Sequence, residues 1–76
     1  MKLHELKIGE SAIITGFEKE NDSYRKKLLS LGLNEGTKIH FVRKSPFNDP
    51  IVIEALGTNI ILRKKEAEIM NLRSAS

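Results

Sequence analysis

The chain has no cysteine and no tryptophan, and only one tyrosine and three phenylalanines. Without thiols there is no disulfide framework, no zinc ribbon and no cysteine nucleophile, and a reducing cytoplasm is the expected setting. No apolar run approaches the roughly 20 residues of a membrane span, and Met1-Lys2-Leu3-His4-Glu5 is too polar for a signal core. Neither export by an N-terminal signal nor direct membrane insertion is therefore expected. Two prolines and five glycines supply few breakpoints, so residues 1–76 are expected to form a single domain. An excess of one charge is also missing. Thirteen Lys and Arg against ten Asp and Glu leave +3, too little to be a nucleic-acid footprint by itself. Hydrophobic residues at 39% and charged ones at 30% indicate a folded globule rather than a disordered chain.

The segments that are present are short. Ser11-Ala12-Ile13-Ile14-Thr15-Gly16-Phe17 is β-branched and follows Gly9, which predicts a strand ended by the polar residues 18–22. Asp22 or Ser23 can cap a helix over residues 23–31, in which Tyr24, Leu28 and Leu31 share one face. Gly32 is placed to close that helix, and Arg25, Lys26 and Lys27 are expected on its solvent side. Residues 38–43 alternate and predict a half-buried strand. Two more strands, over 51–56 and 59–63, flank a tight hairpin turn at Gly57-Thr58. One helical turn over 64–69 and an edge strand over 70–73 complete the chain, and an unpaired edge there could join two copies into a weak homo-oligomer. The pattern is mainly β, a small closed or half-closed barrel of about five strands with one short helix after the first.

Candidate chemistry is sparse. Gly32-Leu33-Asn34-Glu35-Gly36-Thr37-Lys38 has the residues of a phosphate loop in the wrong order, with the helix before it and the strand after. His4 and His40 are the only imidazoles and lack a second ligand at helical spacing, so they are candidates for weak transition-metal binding at most and no cofactor is expected. Glu18, Glu20 and Asp22 lack the spacing of a calcium loop. No serine occupies a nucleophile elbow, and a chain this small has little interior in which to shift a pKa. Catalysis is not expected. Arg25-Lys26-Lys27, Arg43-Lys44 and Arg63-Lys64-Lys65 could line a groove for single-stranded RNA, but Glu35, Asp49, Glu54 and Glu66 interrupt them and nucleic acid is not the expected partner. The segment Ser45-Pro46-Phe47-Asn48-Asp49-Pro50 is more informative. Its prolines fix the loop and can hold Phe47 toward solvent or over the barrel mouth, facing the connection that carries Phe17 and Tyr24. Phe17, Tyr24, Ser45, Pro46, Phe47 and Asn48 are thus the candidate partner-binding residues.

Four ordered motifs resemble those of the FeoA family of bacterial ferrous-iron uptake. They are Leu3-x-x-Leu6-x-x-Gly9; Arg25-x-Lys27-Leu28-x-x-Leu31-Gly32-Leu33-x-x-Gly36-Thr37; Arg43-x-x-Pro46-x-x-Asp49-Pro50; and Gly57-x-x-Ile60-Ile61-Leu62-Arg63-x-x-Glu66-Ala67. Lys27, Ser45, Asn48 and Ile61 stand where the family often has Arg, Ala, Gly and Ala. Asn tolerates positive φ, so the turn at Asn48 should survive. The resemblance implies an SH3-like barrel and a non-enzymatic, cytoplasmic adaptor that binds the cytoplasmic part of FeoB, a GTP-binding Fe(II) transporter. It carries over no catalytic residue. Two other functions compete with it: a small basic RNA-binding barrel, and a metal-responsive domain related to iron-dependent repressors.

Overall fold

The computed structural model describes residues 1–19 and 21–75. After a 3-10 turn at Leu3–Glu5 come β1 (Ser11–Phe17), α1 (Asp22–Ser30), β2 (Lys38–Lys44), β3 (Ile51–Ala55), β4 (Thr58–Leu62), α2 (Lys64–Ala67) and β5 (Met70–Ser74). The strands form one antiparallel sheet in the order β4-β3-β2-β1-β5. Two bulges bend it. Thr15 is left over where β1 and β5 slip register between Ile14 and Gly16, and Val42 where β2 and β3 slip between Phe41 and Arg43.

The outer strands β4 and β5 are not each other's ladder partners among the described residues, so hydrogen bonding does not close the sheet as a full barrel would. Instead α2 carries the chain from one edge to the other. The edge expected to be free at residues 70–73 is partly covered: Leu72 donates its N–H to the Met1 carbonyl at 2.8 Å and accepts from the Met1 ammonium at 2.9 Å. Lys2 Nζ then reaches Glu18 at 2.7 Å and Asn71 at 2.8 Å, which holds the first residues against β5. A covered edge offers fewer groups to a second copy.

Alternation explains the core. Ala12 and Ile14 of β1 and Ile39 and Phe41 of β2 point inward, and they meet Ile53, Leu62 and Met70 from the other strands. Burying each large side chain contributes roughly 1.5–3 kcal/mol. Ile61 faces solvent, so its bulk does not strain the packing.

Helix α1 starts one residue earlier than expected because Asn21 is its cap. The Asn21 Oδ1 accepts from the Tyr24 N–H at 3.1 Å, while Ser23 Oγ donates to the same oxygen. At the other end Gly32 (φ 89°) turns the chain left-handed, Gly32 N–H bonds to Leu29 and Leu33 N–H to Leu28, each at 3.0 Å. Leu28 and Leu33 are both fully buried beside that Schellman closure. Only part of the expected face is covered: Leu28 is buried, Tyr24 half-buried and Leu31 exposed. The hairpin turn is Leu56-Gly57 rather than Gly57-Thr58, with φ of 57° and 78°. A type I′ hairpin turn needs positive φ at both central residues, as here, which favours Asn over Leu at the first.

Candidate interaction surface

Three polar struts converge on α2. Glu66, although only 7% exposed, receives Lys27 Nζ from α1 at 2.6 Å and the Arg63 N–H at 2.9 Å. Burial pushes its pKa up. The hydrogen bonds from Lys27 and Arg63, with the charges of both, outweigh burial and hold the carboxyl below its ordinary 4.5. Lys27 is therefore not part of a free solvent face, as its place in the helix suggested; it pins α1 to α2. Next, Glu68 Oε1 lies 2.6 Å from His4 Nδ1 in the 3-10 turn, while Glu68 Oε2 is buried with no partner among the described residues. The third strut is Asp49, whose Oδ1 accepts from the Lys64 N–H at 2.9 Å and so ties residues 45–50 to the start of α2.

Between α2, the 3-10 turn and the loop lies a hollow of about 240 Å³. Its buried lining is apolar: Leu3, Leu6, Phe41, Ile51 and Ala67. Around it stand His4, Lys44, Asn48, Lys64 and Glu68, all at least partly exposed.

The loop beside this hollow is shaped by its own atoms. Ser45 Oγ donates to the Asp49 carbonyl at 2.7 Å and accepts from the Asp49 N–H at 3.0 Å, and the Asn48 N–H returns to the Ser45 carbonyl at 2.8 Å. Asn48 adopts φ 65°, the left-handed geometry that suits Asn, and the Asp49-Pro50 bond is cis. The Ser45 and Asn48 hydrogen bonds brace a turn that holds Phe47 out into solvent at 90% exposure. Pro46 beside it is exposed too.

Phe17 and Tyr24 lie elsewhere. Both are half-buried against the core, and Phe17 lines a separate hollow with Glu18, Lys19, Asp22, Arg25 and Glu35. The register explains the separation. Ser11 opposes His40 and Ile13 opposes Lys38, so β1 carries Phe17 toward the end of the sheet where β2 begins, whereas residues 45–50 extend from the end where β2 finishes. The register thus separates Phe17 from Ser45, Pro46, Phe47 and Asn48, while Tyr24 on α1 packs against the core outside the lining of either hollow. The histidines are likewise apart: His4 bonds to Glu68, and His40 Nδ1 lies 2.8 Å from Ser11 Oγ. Among the described residues no three metal-ligating side chains converge.

The basic clusters also separate once partners are assigned. Arg25 and Lys26 both reach Asp22, at 3.3 and 3.5 Å, and Lys27 is held by Glu66. Lys44 and Lys64 have no ion-pair partner among the described residues. Glu68 and the apolar lining of the hollow escaped sequence reasoning. The Arg63-x-x-Glu66 spacing was a visible signal for Glu66, since a Glu three residues after a helix cap turns back to its N–H. No local signal pairs Glu68 with His4.

Among the described residues no helix is long and apolar enough to cross a membrane. Residues 1–73 match the FeoA domain family. Over 67 residues the chain is 33% identical to a Porphyromonas gingivalis fusion of Fe(2+) transport protein A with the Fe(2+) transporter FeoB; the match covers 88% of this chain and 8% of the fusion's length. Iron(II) transport protein A from Clostridium thermocellum superposes with a TM-score of 0.88 at 35% identity, over 99% of this chain and 46% of that one. FeoA from Stenotrophomonas maltophilia, solved with zinc and described as a prokaryotic SH3 domain protein, gives 0.81 at 28% identity, over 96% of this chain and 89% of that one.

Proposed function

The chain belongs to the FeoA domain family, and on that premise we propose that it is a non-enzymatic accessory protein of ferrous-iron transport that binds the cytoplasmic part of a FeoB-like GTP-binding transporter. The observation that carries this reading is the fusion: in Porphyromonas gingivalis a segment similar to 88% of this chain is covalently continuous with a FeoB transporter. A covalent tether raises the effective concentration of one domain at the other, so a contact between them needs little affinity of its own. A contact made without such a tether draws its affinity from the surface of the domain alone. The exposed Phe47 on a self-braced loop suits this, because an aromatic fixed in place loses little freedom on binding. The curled five-stranded sheet is read as an SH3-like barrel that serves as the scaffold, working at the cytoplasmic face.

Titration of the chain against the transporter's cytoplasmic domain tests the proposal. Binding is expected at low and moderate salt, with Phe47→Ala weakening it about tenfold, as removal of an aromatic anchor does. Tyr24→Ala reports on α1. Absence of binding by the unmodified chain at both salt concentrations defeats the reading.

A further inference from the structure

We propose that the hollow between α2 and residues 45–50 is a docking pocket for an acidic segment of a partner protein that carries one aliphatic or aromatic anchor. The inference rests on the partner-binding reading and assigns its site and the chemistry of the segment it takes.

Size comes first. At about 240 Å³ the hollow is smaller than pockets that enclose a drug-sized ligand, which run from about 300 to 1,000 Å³. It is open to solvent and floored by Leu3, Leu6, Phe41, Ile51 and Ala67, so it can seat an apolar side chain delivered by a longer segment. Charge comes second. Lys44 and Lys64 stand at its rim with no ion-pair partner among the described residues. The one carboxylate in the lining, Glu68, is already bonded to His4 through Oε1, and its other oxygen is shielded. Asp49 stands close by, with one oxygen engaged by the Lys64 N–H, and Glu5 lies 4.0 Å from His4. Among the side chains that line the hollow, Lys44 and Lys64 outnumber Glu68, so the lining is net positive and a complementary segment is acidic.

Phe47 adds a third element. Its neighbour Asn48 lines the hollow, and the loop presents the ring to solvent beside it, where a bound segment would cover an aromatic that nothing in the fold covers. An anionic membrane shares the charge and would accept Phe47. A flat bilayer leaves the apolar floor unfilled, so the concave shape favours a peptide.

The test uses the full isotope-labelled chain, the transporter's cytoplasmic domain, synthetic peptides tiled across that domain, and vesicles of phosphatidylglycerol and phosphatidylcholine. The domain and one or more acidic peptides containing an apolar residue are expected to shift the amide signals of Leu3, Leu6, Phe41, Ile51 and Ala67. Lys44→Glu with Lys64→Glu is expected to weaken both at least about tenfold at low salt while leaving the thermal melt unchanged. Should the double reversal disturb folding, Lys44→Gln with Lys64→Gln replaces it, with a smaller loss expected. If the domain binds but its shifts gather around Phe17 and Tyr24, or the charge variants bind equally well, the pocket is overturned and the partner reading stands. Selection of basic or neutral peptides, or shifts in the hollow from vesicles alone, overturns it as well. If neither the domain nor any of its peptides binds, the partner reading falls and takes the pocket with it.

Discussion

Helix α2 and the loop of residues 45–50 flank the same hollow, yet they use their polar groups in opposite ways. Every strut at α2 reaches another part of the chain: Glu66 to Lys27 across 39 residues, Glu68 to His4 across 64, and the Lys64 N–H to Asp49 across 15. The loop bonds mainly to itself, through Ser45, Asn48 and Asp49, and leaves its one aromatic uncovered. One shoulder holds the two edges of the sheet together. The other keeps its own shape and contributes almost nothing to the core. With Asp49 as its tie to α2 and its other side-chain hydrogen bonds internal, the loop exposes its phenylalanine without opening the core.

The sharpest way to break this comparison is at Glu66. Replacing it by Ala removes the partner of Lys27 and the acceptor of the Arg63 N–H at a buried position, and urea unfolding should register a loss of about 1.5–3 kcal/mol, the range for hydrogen bonds to charged groups. Loss below about 0.5 kcal/mol would mean that α2 is not a structural tie. Acid offers a second, smaller probe of the same group. Because the folded-state pKa of Glu66 lies below its ordinary 4.5, the folded protein holds that proton less tightly than the unfolded chain does. Its contribution is complete above about pH 4.5 and disappears as the pH falls through the lowered value. The stability difference between the unmodified chain and Glu66→Gln should therefore shrink as the pH falls below 4.5, which chemical denaturation at each pH would resolve.

Asp49→Ala cuts the strut between the two shoulders and should cost about 1 kcal/mol, the usual effect of losing a carboxylate at a helix start. That variant should also broaden the amide signals of residues 45–49, since the Lys64 N–H is the only α2 group that Asp49 engages in the described structure. The smallest effect is expected at Phe47. With 90% of the residue exposed, Phe47→Ala should change stability by less than about 0.5 kcal/mol. A larger destabilisation would contradict the division between a tying shoulder and a presenting one.

Local features of this fold were readable. The strands followed from β-branched runs between glycines, and α1 came within one residue of its predicted start and end. The shift at its start arose because Asn21, Asp22 and Ser23 all have side chains able to cap, and only the backbone decides which one does. The hairpin moved by one residue for a related reason: Leu56 adopts the positive φ that propensity assigns to Asn or Gly. The site was less legible. The fixed turn around Asn48 was foreseen from its prolines and from the tolerance of Asn for positive φ, but whether Phe47 pointed out or in depended on packing. Helical period put Lys27 in solvent, but its long stem lets the ammonium reach a carboxylate beside the helix. The expectation that Phe17 and Tyr24 face the loop overlooked the register of β1 on β2, which sends Phe17 the other way.

Composition and short-range pattern alone established that this chain has no thiol chemistry, builds short extended segments around one helix, and braces residues 45–50 with two prolines, because those properties depend on neighbours within a few positions. The tertiary structure alone decided that Lys27 meets Glu66, that His4 meets Glu68, and that Leu3, Phe41, Ile51 and Ala67 line one hollow with Lys44 and Lys64 at its rim. Those groups come from opposite ends of the sequence, and only the bulged, curled sheet brings them within reach of one another.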